Sequence, residues 1–527
     1  MSVSPRVLLV VRDGWGSNPE VRGNAIAAAS AEGKIPNNDS WKENYPWTLI
    51  RTDGSPVGLP EGFQGSSEVG HLNMGAGRVV TQELKRINDM MVTGTMWECK
   101  KWAEIINNWK QHNSTLHFLL LLQDEGVHAH CDHLYKMMRR ARQDNPTGKI
   151  VIHPFLDGRD TPPRSCLEYI AQLQQVMNEV GNATIGTVMG RYYSMDRSRN
   201  WTLTDSALDC MINLKGRKVE TAIAAVEQSY ANDKTPDGYP MTDEYIHPHV
   251  VGAYAGIKEN DCILHTNYRQ DRAIQLAAAF CNRDMYGGST ETPRVTFVGF
   301  TQYYNEFENY LIEPMTGGGG MENLLGEVVS KAGFRQLRIA ETQKFRHVTS
   351  FFNGKSTKPY PLEDQVEVPS RFDAASFASH PEMEAYQVTE ELIKRIDENP
   401  DYRFIVVNYA NTDMVSHTGE FVPAKTAVEI VDECVGKLVN HWLSLGGVAI
   451  VTADHGNADQ MIDYNTGMVK TSHTIHPVDL ILVGEAVKGK KMLPHCEGKL
   501  ADIAPTVLQL LGLPIPKEMT AQSLIVE

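Results

Sequence analysis

The sequence predicts an α/β protein of two domains. Seven short apolar runs each end in a polar tail rich in Asp, His or Arg, and segments of helical periodicity lie between them. In open α/β sheets, ligands gather at the carboxyl ends of the strands, where such tails would meet. One tail of this kind would be an ordinary loop, whereas seven indicate an α/β protein with one or two active faces.

The predicted strands occur along most of the chain. They are short runs rich in leucine and β-branched residues, which is the composition of buried strands. These runs are residues 7–11, 118–122, 149–155, 183–189, 262–264, 404–407 and 448–452.

Helical spacing of apolar residues predicts helices near the middle and the end of the chain. One set precedes Gly333 and the other precedes Gly512, and glycine is a common helix stop. The two sets are Met321, Leu324, Leu325, Val328 and Val329, and Ile503, Val507, Leu510 and Leu511. Residues 79–91 also predict a helix, which places Ser67 near a helix N-terminus.

Two segments have the character of domain boundaries. Residues 317–320 are four consecutive glycines, and residues 81–88 must carry the chain away from Ser67. The arginine-bearing tails lie between these segments, and most Asp/His tails lie outside them. We therefore expect one domain made of both chain ends, residues 1–82 and 317–527, with a second domain, residues 83–316, inserted into it.

Composition excludes several classes of function. Of 527 residues, 42% are apolar and 22% charged, which is normal for a globular protein. The net charge of −15 disfavours non-specific nucleic-acid binding. No apolar run reaches the length of a membrane span, and the run at residues 7–11 is too short for a signal peptide. Eight cysteines without a C-x-x-C pair fit reduced thiols, so we expect a cytoplasmic protein.

The stretch GSSEVGHLNMGAGR, residues 65–78, contains a candidate nucleophile, Ser67. Glycines permit close approach of the backbone to a phosphate, and a helix N-terminus favours an anion. A serine hydroxyl is a poor nucleophile unless a base or a metal activates it. On this stretch alone, an ordinary loop rich in glycine and serine is an equal alternative.

Potential activating groups occur elsewhere as six metal-ligand candidates. D-x3-H at Asp413 and His417 places two ligands one helical turn apart, and the others occur in a turn or at a strand end. Taken alone, D-x3-H is more typical of a solvated helix face, whereas the A-D-H-G turn after a strand fits an ordinary turn and a site equally well. The six are Asp13, Asp413, His417, Asp454, His455 and His473. Together with Ser67 they could form two sites of mixed N/O character, suited to Mn²⁺, Zn²⁺, Co²⁺ or Mg²⁺.

The predicted inserted domain supplies a different set of groups. Its tails contain five arginines, whose planar guanidinium groups suit carboxylate and phosphate. They are Arg159, Arg191, Arg197, Arg269 and Arg272, accompanied by His128 and Asp160. Arg269 and Arg272 would be neighbours if their segment is helical. Asp160 is a candidate acid/base for a substrate hydroxyl, and Lys344 could neutralise a phosphoryl oxygen from the other domain.

Seven motifs together resemble cofactor-independent phosphoglycerate mutase, a family of the alkaline phosphatase superfamily. They occur in the family's order from Asp13 to His473. Related phosphatases and sulfatases share the metal motifs but lack the arginine-rich insert. The motifs are DGWG, GSSEVGHLNMGAGR, FLDGRDTPP, GRYYSMDR, AETQK, NTDMVSHTG and TADHGNAD.

The resemblance implies a fold, a reaction and a role for each candidate. It implies an alkaline-phosphatase-like α/β sandwich with an inserted phosphotransferase domain. The reaction would interconvert 3- and 2-phosphoglycerate through phosphoserine at Ser67, without 2,3-bisphosphoglycerate, with Asp160 and Lys344 assisting. One metal would be held by Asp413, His417 and His473, and the other by Asp13, Ser67, Asp454 and His455. Phosphoglycerate would be bound by His128, Arg159, Asp160, Arg191, Arg197, Arg269, Arg272 and Lys344.

The remaining predictions concern the metal ions, the oligomeric state, the partners and two alternative functions. We expect two divalent ions, with Mn²⁺ first, and a monomer acting in glycolysis and gluconeogenesis without nucleic-acid or membrane partners. A metal-dependent phosphatase or sulfatase would explain the metal ligands but not the arginines. A non-catalytic metal-binding protein would leave the nucleophile unexplained.

Overall fold

The computed structural model describes residues 6–236, 238–304, 306–313, 321–372 and 376–526. The chain divides into two compact units. The outer unit comprises Met1–Gln82 and Gly319–Glu527, and the inserted unit comprises Glu83–Gly318. The predicted α/β class is confirmed, because parallel strands alternate with helices in both units. The four glycines predicted as a boundary, residues 317–320, lie outside the described residues.

The secondary-structure elements are numbered in chain order. The strands are β1 (Val7–Arg12), β2 (Trp47–Arg51), β3 (Thr115–Leu121), β4 (Lys149–Leu156), β5 (Ala183–Ile185), β6 (Thr187–Gly190), β7 (Arg217–Val219), β8 (His249–Val251), β9 (Cys262–His265), β10 (Thr296–Thr301), β11 (Tyr310–Ile312), β12 (Arg335–Glu341), β13 (Glu363–Val368), β14 (Tyr402–Tyr409), β15 (Val448–Thr452), β16 (Val478–Val483), β17 (Lys491–Met492), β18 (Gly498–Lys499) and β19 (Ile525–Val526). The α-helices are α1 (Ala25–Ala31), α2 (Pro36–Asn44), α3 (Ser67–Ala76), α4 (Glu83–Thr93), α5 (Lys100–His112), α6 (Cys131–Asp144), α7 (Cys166–Val180), α8 (Arg191–Ser194), α9 (Trp201–Asn213), α10 (Ala222–Asn232), α11 (Ile274–Cys281), α12 (Leu325–Lys331), α13 (Ala385–Glu398), α14 (Asn411–Ser416), α15 (Phe421–Ser444) and α16 (Ile503–Leu511).

The outer unit is built on an eight-stranded sheet of order β13-β12-β14-β1-β15-β16-β2-β18. Strand β1 runs parallel to both its neighbours, with Val11 opposite Asn408 of β14 and Thr452 of β15. β1 and β15 are buried along their whole length, which explains their unbroken apolar runs. The residues that follow β1, β14 and β15 therefore meet at one edge of the sheet.

The inserted unit has its own sheet, of order β11-β10-β9-β3-β4-β6-β8-β7, with β5 paired to β4. Strand β3 is parallel to β4 and β9, and Leu119 lies opposite His153 and His265. Strand β6 also runs parallel to β4, with Gly190 opposite Leu156. The tails of these four strands therefore lie at a common edge, and they carry the predicted arginines.

The glycine-rich stretch around Ser67 is itself a helix, so the helix predicted at residues 79–91 had the wrong bounds. Helix α3 begins at Ser67, with the Ser66 hydroxyl accepting a hydrogen bond from the Val69 N–H, and it ends at Gly77 in the left-handed conformation. The next helix, α4, starts only at Glu83. Ser67 does lie at a helix N-terminus, but it is the N-terminus of α3.

The glycines inside α3 are explained by close packing. A Cβ at Gly70 would lie 2.8 Å from the Cβ of Asp454, and one at Gly75 would overlap the Phe352 carbonyl oxygen. Neither glycine has a positive φ, so both occupy ordinary helical backbone. Their role is to let other backbone segments approach the helix that carries Ser67.

Gly75→Ala is expected to destabilise the protein by about 1–3 kcal/mol, because the added methyl group overpacks this contact. Helix propensity alone would favour alanine by about 1 kcal/mol. Denaturant unfolding would show a lower midpoint at an unchanged slope. A higher midpoint would mean that the Phe352 segment can move away from α3 at little cost.

Two further predictions differ from the structure. The run at residues 183–189 forms two strands, β5 and β6, because the pairing with β4 shifts by one residue between Ile185, opposite Ile152, and Met189, opposite Phe155. Helix α12 starts at Leu325 and thus excludes Met321 and Leu324. The condition under which Arg269 and Arg272 would be helical neighbours is not met, because helix α11 begins only at Ile274. Helix α16 and its Gly512 stop are confirmed.

Candidate functional site

The Ser67 hydroxyl lies in a buried polar cluster of the outer unit. Ser67 is 3% exposed, and its Oγ donates a hydrogen bond to Asp13 Oδ1 at 3.2 Å. The Nε2 atom of His455 lies 3.0 Å from the same Oγ, and Lys344 Nζ donates to it at 2.7 Å. The predicted nucleophile is therefore surrounded by a carboxylate, an imidazole and an ammonium group.

Asp413, His417 and His473 form the first donor set. The Nε2 atoms of His417 and His473 lie 3.1 Å apart, and they are 3.2 and 3.3 Å from Asp413 Oδ1. Each Nδ1 donates to a backbone carbonyl, of Thr471 and Gly65 respectively. In the neutral rings both Nε2 lone pairs thus face a carboxylate. Metal-binding histidines are commonly oriented in this way, by a hydrogen bond that their other ring nitrogen donates.

The spacing of this donor set fits a tetrahedral divalent ion. Ligands at 2.0–2.1 Å from such an ion lie about 3.3 Å from one another, close to the three observed separations. Burial and the neighbouring His455 lower the pKa of His473 to about 4, which keeps this imidazole neutral. Neutral imidazole is the form that binds metals.

Asp13, Asp454 and His455 form a second donor set next to Ser67. The His455 Nε2 atom is 3.4 Å from Asp13 Oδ1 and 3.7 Å from Asp454 Oδ2. Asp454 Oδ2 is buried and accepts no hydrogen bond from the described residues. Burial and then Asp13 raise the pKa of Asp454 above its ordinary value. A buried carboxylate oxygen without a donor fits direct coordination of a cation.

Lys344 joins the two donor sets. Its Nζ atom donates to Asp13 Oδ1 and Asp413 Oδ2, each at 2.7 Å, as well as to Ser67. Burial opposes its charge, but the Asp13 and Asp413 carboxylates raise the pKa of Lys344 above its ordinary value. Lys344 is therefore an ammonium group beside the hydroxyl that would receive a phosphoryl group.

In the inserted unit, Arg191 organises the candidate acid/base. This buried guanidinium donates from Nη1 to Asp157 Oδ1 and Asp160 Oδ2, both at 2.6 Å. Its Nη2 atom donates to His128 Nε2 at 3.0 Å. Burial and then Arg191 lower the pKa of His128 to about 2, so His128 is neutral. Asp160 is held by Arg191 rather than by its sequence neighbour Arg159.

The other arginines have various partners. Arg197 and Arg269 both pair with Asp271, at 2.8 and 3.1 Å, whereas Arg272 Nη1 donates to the Met195 carbonyl. Burial and then the neighbouring Arg191 and Arg197 lower the pKa of Arg272 to about 10. These groups thus form one cationic cluster. Arg159 lies at its edge, is more than half exposed and pairs with Glu244.

Comparison with known proteins identifies the family. The model of the metalloenzyme superfamily matches residues 5–515. The 2,3-bisphosphoglycerate-independent phosphoglycerate mutase of Acetivibrio thermocellus is 44% identical over 529 residues, covering 99% of each chain. That of Clostridium botulinum is also 44% identical, covering 100% of both chains. This chain belongs to the 2,3-bisphosphoglycerate-independent phosphoglycerate mutase family.

A solved structure supports the membership in this mutase family. The crystal structure of Leishmania mexicana phosphoglycerate mutase at low cobalt concentration has a TM-score of 0.80 to this chain. It is 31% identical in sequence and covers 99% of this chain and 98% of its own. Among the described residues of this family member, no helix is long and apolar enough to cross a bilayer.

Sequence reasoning missed four polar residues of these two candidate clusters. Asn408 donates to Asp13 Oδ2 at 2.8 Å, and Asn457 donates to Asp413 Oδ1 at 2.9 Å. Asp157 and Asp271 hold the arginines of the inserted unit. All four lie in the polar tails that follow the predicted strands, or just before them. Their position in the sequence was therefore the signal that could have identified them. Their side chains were not recognised because amides and additional carboxylates are common in ordinary turns.

Proposed function

We propose that this phosphoglycerate mutase interconverts 3-phosphoglycerate and 2-phosphoglycerate through a phosphoserine at Ser67, without free 2,3-bisphosphoglycerate. The observation that carries the proposal is the position of Ser67 Oγ, within 3.2 Å of Lys344 Nζ, His455 Nε2 and Asp13 Oδ1. Such a hydroxyl, at the N-terminus of α3, can accept a phosphoryl group whose charge the helix end favours.

Two divalent ions complete the outer unit in this proposal. Asp413, His417 and His473 would hold one, and Asp13, Ser67, Asp454 and His455 would hold the other. Bound there, the ions supply Lewis acidity that lowers the pKa of the serine hydroxyl and offsets phosphoryl charge. Mn²⁺ is our first candidate, with Co²⁺, Mg²⁺ and Zn²⁺ as alternatives, because N/O donors do not select one metal.

The outer unit's own residues prepare Ser67 for attack. Its hydroxyl proton already points to Asp13 Oδ1, and Lys344 keeps that carboxylate ionised. The Lys344 ammonium then offsets the charge of a phosphoryl oxygen while Ser67 Oγ bonds to phosphorus and the bond from phosphorus to the glycerate oxygen breaks. Asp13 takes the serine proton, and Asp160 gives a proton to the departing glycerate oxygen. Asn408 donates a hydrogen bond to Asp13 and Asn457 donates one to Asp413, and these bonds fix the orientation of the two carboxylates.

The inserted unit holds the glycerate in this scheme. The guanidinium groups of Arg159, Arg191, Arg197, Arg269 and Arg272 would bind its carboxylate and the phosphoryl group. Asp160, oriented by Arg191, exchanges a proton with the substrate hydroxyl. Neutral His128, whose Nε2 accepts from Arg191, would donate a hydrogen bond there from Nδ1. The glycerate then reorients without leaving, and its other hydroxyl receives the phosphoryl group from Ser67.

The division of labour between the units disfavours both rival functions. A phosphatase or sulfatase needs the outer cluster but has no use for the five arginines of the inserted unit. A metal-binding protein without activity does not need a buried serine between two donor sets. Full-length relatives named as phosphoglycerate mutases, 44% identical to this chain, also support the mutase.

We also propose a cellular setting. The eight cysteines are all free thiols, which fits a reducing compartment such as the cytoplasm. A net charge of −15 disfavours nucleic acid as a partner. Interconversion of phosphoglycerates would place the protein in glycolysis and gluconeogenesis, and we propose that it acts as a monomer.

Metal removal tests the proposed centre. Chelation should abolish conversion of 3-phosphoglycerate in an enolase-coupled assay, and Mn²⁺ or Co²⁺ should restore it. More metal should be needed at acidic pH, because protons compete for the histidine ligands. Asp413→Asn should not be restored, whereas Asp432→Asn should be, since Asp432 is an equally buried carboxylate that binds the N–H groups of Asn37 and Asn38. Full turnover by the stripped enzyme would contradict the proposal.

A further inference from the structure

Asp459 is a fully buried carboxylate with no role in the scheme above. It lies five residues after Asp454, in the turn that follows β15. Its Oδ2 atom accepts from His476 Nδ1 at 2.6 Å, and Thr474 Oγ1 donates to Oδ2 and Oδ1 at 3.0 and 3.2 Å. Both partners belong to the loop that carries His473. We infer that Asp459 is a positioning residue that fixes His473 in the metal centre.

Two glycines make the space that Asp459 occupies. A Cβ at Gly16 or at Gly456 would overlap Asp459 Oδ1. The Asp459 carbonyl in turn accepts a hydrogen bond from Asn18 Nδ2 at 3.0 Å. The segment after β1, the turn after β15 and the His473 loop therefore all meet at this side chain. Glycine is needed at positions 16 and 456 because a side chain there would occupy the space of the Asp459 carboxylate. The buried carboxylate in turn needs hydrogen-bond donors, which Thr474 and His476 supply.

The His473 loop is held by hydrogen bonds rather than by regular secondary structure, and the junction at Asp459 is one of several: Lys470 Nζ donates to the Ser472 and His473 carbonyls, and Thr52 Oγ1 donates to the His476 carbonyl. Residues 471–476 contain no helix or strand, and Ile475 is 53% exposed. The start of the loop is held by His417 Nδ1, which donates to the Thr471 carbonyl at 2.7 Å. Its end is held by Thr474, whose N–H donates to Gly456 and whose hydroxyl donates to Asp459. Asp459 thus anchors the end of the loop.

Several contacts fix the position of the His473 ring, so loss of the Asp459 anchor should displace this ring. Its ring stacks on that of His455, with centroids 3.8 Å apart, and its Nδ1 donates to the Gly65 carbonyl at 2.8 Å. Its Nε2 is then directed at Asp413 Oδ1, 3.3 Å away. Removing a group that is hydrogen-bonded to a metal ligand typically weakens metal binding by about 10- to 100-fold. Asp459 acts on His473 one step further away, through the neighbouring Thr474, so an effect near the lower end is expected.

The inference rests on the proposed metal centre, and Co²⁺ binding tests the two separately. Chelator competition gives the dissociation constant, and the visible absorption of bound Co²⁺ reports its ligand geometry. His473→Ala should change both in the otherwise intact protein. If His473→Ala binds Co²⁺ like the wild type, the proposed centre fails. If His473→Ala differs but the Asp459 variants do not, the inference about Asp459 alone fails.

Asp459→Asn is expected to raise the Co²⁺ dissociation constant by about 10-fold and to alter the spectrum. Thr474→Val, which keeps the side-chain volume, should shift both in the same direction by less. Asp432→Asn is the matched control, a buried carboxylate of the same unit that should leave Co²⁺ binding unchanged. If Asp459→Asn does not fold, Thr474→Val decides alone, since unchanged affinity and spectrum in that variant would overturn the inference.

Discussion

Ser67→Ala is expected to lower mutase activity by about 10⁴-fold or more, on the scale seen when a catalytic nucleophile is removed. The phosphoryl group would have no covalent acceptor, so the isomerisation and any release of free phosphate should be lost together. Both rates would be measured on the same metal-loaded sample, with 2-phosphoglycerate and inorganic phosphate quantified separately.

The neighbouring serine provides a matched control for this variant. Ser66→Ala removes the cap of α3 and should cost about 1 kcal/mol of stability while leaving the Ser67 hydroxyl in place. Ser66→Ala should therefore retain most activity. If Ser67→Ala still isomerises substrate at a substantial rate, the phosphoserine route is wrong.

Much of the outer site could be predicted because of how parallel sheets are built. Asp13, Asp413 and Asp454 follow three adjacent parallel strands, β1, β14 and β15, whose carboxyl ends share one edge. The sequence shows that each acidic tail follows an apolar run, so convergence at an active edge follows from general topology. The order of the strands within the sheet did not need to be known for this prediction.

The helix around Ser67 was missed because glycine has two different uses. Gly70 and Gly75 lower helix propensity, and sequence rules therefore favour a loop. In the structure both glycines lie in regular helix, where neighbouring backbone approaches too closely for a side chain. That reason is tertiary, since it depends on the positions of Asp454 and Phe352, which are remote in sequence.

The supporting polar residues were missed because they depend on strand register. Asn408 reaches Asp13 because β14 pairs with β1 so that Asn408 lies opposite Val11. A shift of one residue would direct the amide to the opposite face of the sheet. Ion-pair choices are equally invisible in sequence, since Arg191, not the adjacent Arg159, holds Asp160. Only the assembled sheet edge brings these partners together.

Arg272→Ala separates the two steps of the proposed reaction. In that reaction the phosphoryl transfer to Ser67 depends on the outer unit. Weakening the hold on glycerate should therefore leave this first transfer intact. Glycerate would then escape or lie out of line, and misplacement by about 1 Å can cost about 100-fold in rate. Mutase activity should fall by about that factor, while water attacks the phosphoserine and the ratio of phosphate to 2-phosphoglycerate rises.

Arg272 is a better target than Arg191 because of their different partners. Arg191 is buried against Asp157, and its removal would leave an unpaired buried carboxylate at a cost of about 3–5 kcal/mol. Arg272 donates only to the Met195 carbonyl among the hydrogen bonds of the described residues, and its neighbouring arginines repel it. Its loss should therefore change activity with little effect on stability.

Arg283→Ala provides the matched control for this partition experiment. Arg283 lies in the same unit and also donates from Nη1 to one carbonyl, that of Thr290, at 2.9 Å. This variant should keep the wild-type rate and the wild-type ratio of phosphate to 2-phosphoglycerate. Normal mutase activity and an unchanged ratio in Arg272→Ala would show that this arginine does not hold the glycerate. A lower rate with an unchanged ratio would instead place Arg272 in the first transfer, because the glycerate would then still be retained while Ser67 is phosphorylated more slowly.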